Sequence, residues 1–384
     1  RALAGAMACN TLAVLPMFLL GALAVFVRDD LGFGEFELGL AVAAFALTSA
    51  LASVPGGRWS EWLGTARAMR VAATGSAACL LGVALLAREW THLLVLLIVG
   101  GLANGIAAPA TNGAVSRLVP EHRQGLAFGA KQAAIPTAIL LGGAAVPLLA
   151  LTVGWRWAFA AAATGAVAVW VLVQPVGGRP LRERGAPVRA GDTAARVLVL
   201  LALAAGVGGM GVNAMGVFYV ESAAASGLPA GVAGALFAAG GVTGIASRVL
   251  WGWQADRRGH RHLPVVAALM GTGSAGVALL ALAPAAWALL LGTLLAFGAG
   301  WGWPGLFNYA VVRHNRNAPS AATGITQAGV FVGACVGPPV FGAIVEAAGY
   351  PTAWLAAAAT LLAATAPLLA ARHLLIRDLT RGRR

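Results

Sequence analysis

Twelve apolar runs follow one another along the chain, at residues 6–27, 36–57, 68–87, 91–117, 126–151, 155–174, 196–219, 230–252, 264–283, 286–312, 320–346 and 352–371. A helix of about 20 apolar residues crosses a bilayer, so the pattern predicts an all-α membrane protein with twelve transmembrane helices. Ala22-Leu23-Ala24 in the first run looks like a signal-peptide cleavage site. That run is too long for a signal peptide, and it is needed by the repeat described below. A short N-terminal tail is expected before Arg1.

Polar residues gather between the runs. The one long polar stretch, Gln174 to Arg196, holds Pro175, Gly177, Gly178, Pro180, Pro187 and five arginines. It reads as a linker at 175–195 between an N-terminal six-helix bundle (1–174) and a C-terminal one (196–384) with a short basic tail. One set of connections and the tail carries Arg58, Arg67, Arg70, Arg117, Arg123, the linker arginines, Arg257, Arg258, Arg261, Arg313, Arg316 and five arginines from Arg372 onward. The opposite set carries only Arg28, Arg88 and Arg156. Basic residues stay on the cytoplasmic side, which places both termini and the linker in the cytoplasm. The expected location is a bacterial cytoplasmic (inner) membrane.

Composition sharpens the picture. The chain is 59% hydrophobic and 10% charged, with a mean hydropathy of +0.82. Soluble domains are about a quarter charged. The 52 glycines suit helices that pack closely in lipid. A net charge of +13 could suggest nucleic acid, but the basic residues sit in short loops between apolar runs, so no nucleic-acid partner is expected. Cys9, Cys79 and Cys335 fall in three different runs with no metal-ligand spacing, so neither disulfides nor zinc are expected. No nucleophile–base constellation, phosphate-binding loop or nucleotide-binding segment is present. The chain is expected to be no enzyme and to need no cofactor.

The two halves repeat. Gly57-Arg-Trp-Ser-Glu61-Trp-Leu-Gly64 lies 195 residues before Gly252-Trp-Gln-Ala-Asp256-Arg-Arg-Gly259. The same offset maps Pro109 onto Pro304, Gln132 onto Gln327, Gly142 onto Gly337, and Gly154-Trp155 onto Gly349-Tyr350. One register shared by an acid, a proline, a glutamine and an aromatic marks two copies of one six-helix unit. Six spans per copy give both copies the same orientation, with the substrate expected near midplane between them.

Gly252-x-x-Ala255-Asp256-Arg257-x-Gly259-x-Arg261 resembles the signature of the major facilitator superfamily, the loop after the second helix of each half. The first copy is degenerate, with Glu61 for the acid and Trp62 for the arginine. The resemblance implies a fold of two six-helix bundles related by a pseudo-two-fold along the membrane normal. It further implies rocker-switch alternating access gated by Asp256, Glu61, Gly57, Gly64, Gly252, Gly259, Arg257 and Arg261. An acid can take hydrogen bonds from a helix N-terminus of the other half and pair with arginine; a simple topogenic loop is the plainer reading. Gly337-Pro338-Pro339 in the eleventh run resembles a drug-antiporter motif, but in the wrong half, so a tightly packed, kinked helix is the expectation.

Charges inside spans are costly and tend to face cavities. Two stand out, Arg248 and Lys131. Ser247-Arg248-Val-Leu-Trp-Gly252 resembles the eighth helix of oxalate/formate and monocarboxylate transporters, where the arginine is implied to bind the substrate carboxylate. A guanidinium fork suits that role; a structural pairing is the alternative. Lys131 either snorkels to the cytoplasm or faces the cavity. No Asp, Glu or His lies near the middle of a run, and Asp29, Asp30, Glu221 and Glu346 sit at outer ends. The arginine of drug/proton antiporters is replaced by Gly101. A positive cavity without acids favours an anion.

The expectation is therefore a monomeric secondary transporter of a small organic anion, with Arg248, Gln327, Asn308, Tyr309, Lys131, Gln132, Asn104, Asn213 and Trp303 around the substrate. Its partners would be the substrate, the lipid bilayer and a coupling proton or a counter-anion. The alternatives are a drug or metabolite exporter driven by proton antiport, and a non-transporting membrane sensor on the same scaffold.

Overall fold

The computed structural model describes residues 2–118, 124–173, 194–257, 262–315 and 319–381, all helix or short connection. Ten apolar helices follow in order at Leu3–Ala22, Glu35–Ser60, Thr65–Leu86, Trp90–Val115, Gly129–Ala150, Trp155–Leu172, Ala195–Ala225, Ala230–Ala255, His262–Leu280 and Ala286–His314. The last apolar stretch, Ala322–Arg377, is two helices, because Gly349 takes a left-handed backbone (φ 78°) and breaks it. Among the described residues this makes twelve candidate spans, as the hydropathy predicts. The expected linker lies almost wholly outside the described residues.

The repeat is written in the backbone. Gly154 (φ 101°) and Gly349 (φ 78°), joined by the 195-residue offset, both turn the chain between spans. Gly32 (φ 67°) and Gly227 (φ 91°) form a second such pair. Positive φ is cheap only for glycine, so each half stops its helices at the same points. Gly64 (φ 83°) separates the second and third spans.

Connectivity defines two faces. The terminal face carries both chain ends; the far face carries the turns at Gly32, Gly154, Gly227 and Gly349. Small residues let the spans approach. A Cβ on Gly273 would lie 2.1 Å from the Gly300 Cα, and one on Gly333 would lie 2.3 Å from the Gly206 carbonyl. Large apolar side chains such as Leu85, Leu148 and Val167 point outward, where lipid replaces water as solvent.

Between the halves, two seams close in the far half. Gly21 of the first span meets Val217 of the seventh, and Gly39 of the second meets Pro338 and Pro339 of the eleventh. The helix runs unbroken through both prolines. The fifth and eighth spans touch along most of their length, from Gly143 against Gly234 and Ala238 to Gly129 against Arg248 and Gly252.

Candidate functional site between the halves

The tenth span is broken at its middle. Residues Ala296–Gly300 form a π turn, Trp301 and Gly302 turn the chain, and the helix resumes at Trp303 with Pro304 in its first turn. Pro304 has no N–H to give, and the Gly302 N–H turns to Ala299 O. Carbonyls here need other donors, since none comes from lipid.

Ser247 and Arg248, consecutive on the eighth span, supply them. Ser247 Oγ donates to Gly298 O at 2.5 Å. Arg248 donates to Trp301 O through Nε (3.1 Å) and Nη2 (2.9 Å), and through Nη1 to the Gln132 carbonyl of the fifth span. Arg248 is 1% exposed and joins both halves. Three of the five guanidinium N–H groups are occupied by backbone.

Lys131, next to Gln132, is 6% exposed, and its Nζ donates to Asn112 Oδ1 at 2.5 Å. Asn112 itself is exposed. Neither Lys131 nor Arg248 has a carboxylate partner among the described residues.

The other residues singled out from sequence scatter. Asn104 Nδ2 donates to Ser49 Oγ at 3.0 Å, inside the N-terminal half. Asn213 Nδ2 bonds Gly209 O of its own helix at 2.8 Å. Trp303 is 1% exposed, edge-on to Phe307, and its indole N–H has no partner among the described residues. Tyr309 takes a hydrogen bond from Arg313 (3.0 Å) and packs edge-on to His262 of the ninth span. Asn308, Gln327 and Gln132 are half-buried. The structure thus brings Arg248 to the backbone carbonyl of Gln132, turns Lys131 to Asn112 within the N-terminal half, and directs Trp303 and Tyr309 into the C-terminal bundle.

Of the residues expected to gate, Gly252 is buried against Gly129, Gly57 faces Pro109, and Arg257 stacks 3.9 Å over the exposed Trp253 ring. Gly64 ends a helix, as described above. The side chains of Glu61 and Asp256, and all of Gly259 and Arg261, lie outside the described part of the structure.

A lock on the far face escaped the sequence reading. Arg28 pairs with Glu35 at 3.0 Å and with Glu221 of the other half, while its Nε donates to Phe33 O at 2.9 Å. Glu346 of the eleventh span accepts the Phe36 N–H at 2.8 Å, at the N-terminus of the second span. That is where a helix dipole favours an anion. Beneath the lock, Phe18 of the first span meets Trp301 of the tenth, 5.4 Å between ring centroids, and Trp301 continues to Phe297. The available signal was Arg28, one of three basic residues on a face rich in acids.

A family model for the major facilitator superfamily matches residues 6–200 and again 201–382. The chain belongs to the major facilitator superfamily. Among curated relatives, it is 30% identical over 139 residues to YwtG of Bacillus subtilis, whose name refers to metabolite transport; this covers 36% of the chain and 30% of YwtG. It is 28% identical over 129 residues to the quinolone resistance protein NorA of Staphylococcus aureus, covering 34% of the chain and 31% of NorA. The matches span about a third of the length of either relative. The expectation of a multi-pass membrane protein of this superfamily holds.

Proposed function

We propose that this facilitator carries a small organic anion, with the far face outside the cell and the substrate bound at midplane between the halves. The reading rests on one observation. Arg248 and Lys131 are buried cations on facing halves with no carboxylate among the described residues to neutralise them. An uncompensated buried charge is costly, and a substrate carboxylate meeting two free guanidinium N–H groups and the ammonium would relieve it. The Phe18–Trp301 contact closes the far side above such a substrate. Rocking of the halves about the fifth–eighth seam would then expose the site to either side. Exchange of one anion for another fits a cavity without an acid; the coupling ion belongs to the same proposal.

The aromatic ceiling of Phe18, Phe297 and Trp301 favours a second reading, export of flat apolar compounds, in line with the resemblance to NorA. Thermal unfolding of the purified protein against carboxylates, lipophilic cations and neutral drugs separates the two, because a ligand that binds only the folded state raises its stability. The anion reading expects a carboxylate to raise the midpoint in the wild type and not in Lys131→Gln. A shift only by cations or neutral drugs, unchanged in Lys131→Gln, overturns it.

A further inference from the structure

The far face holds a cavity of about 700 Å³, lined in part by Arg28, Asp29, Glu35, Glu37, Glu221 and Tyr350. Four carboxylates and one guanidinium line it. Arg28 is shared between Glu35 and Glu221, and Glu37 Oε2 is held by the Gly34 N–H at 2.9 Å. Glu221 is 6% exposed, and its Oε2 has no partner among the described residues. The Tyr350 hydroxyl, buried on the same wall, also has none. Buried polar atoms in native proteins are nearly always satisfied, so two orphans in one acidic cup define what is missing. The missing group carries positive charge and N–H donors. No set of carboxylates here is arranged to hold a metal ion among the described residues, and the cavity is far larger than a bare cation.

We infer that this cup binds a small organic cation with at least two N–H donors, one for Glu221 Oε2 and one for Tyr350 Oη. Glu221 is also the residue that Arg28 reaches across the halves. A cation seated on Glu221 Oε2 shares that carboxylate with Arg28, which holds Oε1, and so weakens the charge pairing of the far-face lock. The inference does not rest on the anion proposed for midplane; it uses different residues on a different face.

The test uses full-length protein in detergent, with 1,4-diaminobutane as the probe and tetramethylammonium as a cation lacking N–H donors. Binding is read by calorimetry in wild type, Tyr350→Phe and Glu221→Gln. Tyr350→Phe is the informative variant, because the hydroxyl makes no hydrogen bond among the described residues and its removal breaks none. A net hydrogen bond corresponds to about a three- to tenfold change in affinity. The expected result is saturable diamine binding, weakened by that factor in Tyr350→Phe and lost in Glu221→Gln, with no binding of tetramethylammonium. Absence of diamine binding would mean that water alone fills the cup and would overturn the inference. So would equal binding of both cations, or identical diamine affinity in wild type and Tyr350→Phe.

Discussion

Arg248 donates twice to the carbonyl of Trp301, at 3.1 and 2.9 Å, where the tenth span loses its own helical hydrogen bonds. Its third bond crosses to Gln132 in the other half. One side chain thus stabilises a broken helix and ties the two bundles together near midplane. Transporters place substrate sites at such interruptions, so the substrate role proposed for Arg248 would fall on the same side chain as its structural one.

Replacing Arg248 should therefore cost stability even without substrate. Interhelical polar contacts inside membranes average about 0.6 kcal/mol and reach about 1.7, so losing three in Arg248→Gln predicts a loss of about 2 kcal/mol. Arg248→Lys keeps the charge but not the fork, and should fall between. Thermal midpoints in detergent measure the ranking. Wild-type stability in Arg248→Gln would remove the structural half of the argument.

Ser247→Ala removes one bond, to Gly298 O. The expected loss is about 0.6 kcal/mol, well below that of Arg248→Gln. A loss equal to that of Arg248→Gln would mean that the π turn, and not the guanidinium network, dominates local stability.

The second–eleventh seam predicts a conformational effect. A Cβ on Gly39 would sit 2.5 Å from the Pro338 carbonyl and 2.6 Å from the Pro339 Cα, backbone atoms that cannot swing aside. Gly39→Ala should leave each bundle folded but push the far face apart. Spin labels at the far ends of the second and eleventh spans should report a longer mean distance in the variant. An unchanged distance would show that the seam yields locally.

The paired left-handed glycines predict equal costs in the two halves. Gly154→Ala and Gly349→Ala each force an L-residue to positive φ, at about 1–2 kcal/mol. Unfolding midpoints of the two variants should fall by similar amounts. A large fall in one alone would mean that the turns are equivalent in shape and not in strain.

The twelve spans and the repeat were legible because hydropathy and glycine placement are local properties. The acid–glycine turns and the register from Gly154 to Gly349 are read directly along the sequence, whereas the Gly32 and Gly227 pair emerged only from the backbone angles. The prominence of Arg248 and Lys131 was also legible, since a charge in an apolar run is conspicuous. Their partners were not. Two of the acceptors are backbone carbonyls, at Trp301 and Gln132, and carbonyls leave no mark on composition. The π turn that frees Trp301 is built from Ala296-Phe-Gly-Ala-Gly300, ordinary helix-packing residues in this chain. Tyr309 and Trp303 were expected around the substrate, but periodicity alone does not say which face of their span turns inward to the bundle. The far-face lock was missed because Arg28 and Glu221 are 193 positions apart and only the closed seam joins them.

The most direct test of the central claim is flux. The purified protein is reconstituted in liposomes, and counterflow is measured for a panel of radiolabelled small carboxylates and lipophilic cations, with no ATP present. The account predicts saturable exchange of at least one carboxylate, abolished in Lys131→Gln while that variant remains folded. Transport of cations alone, or carboxylate exchange that survives Lys131→Gln unchanged, would contradict it.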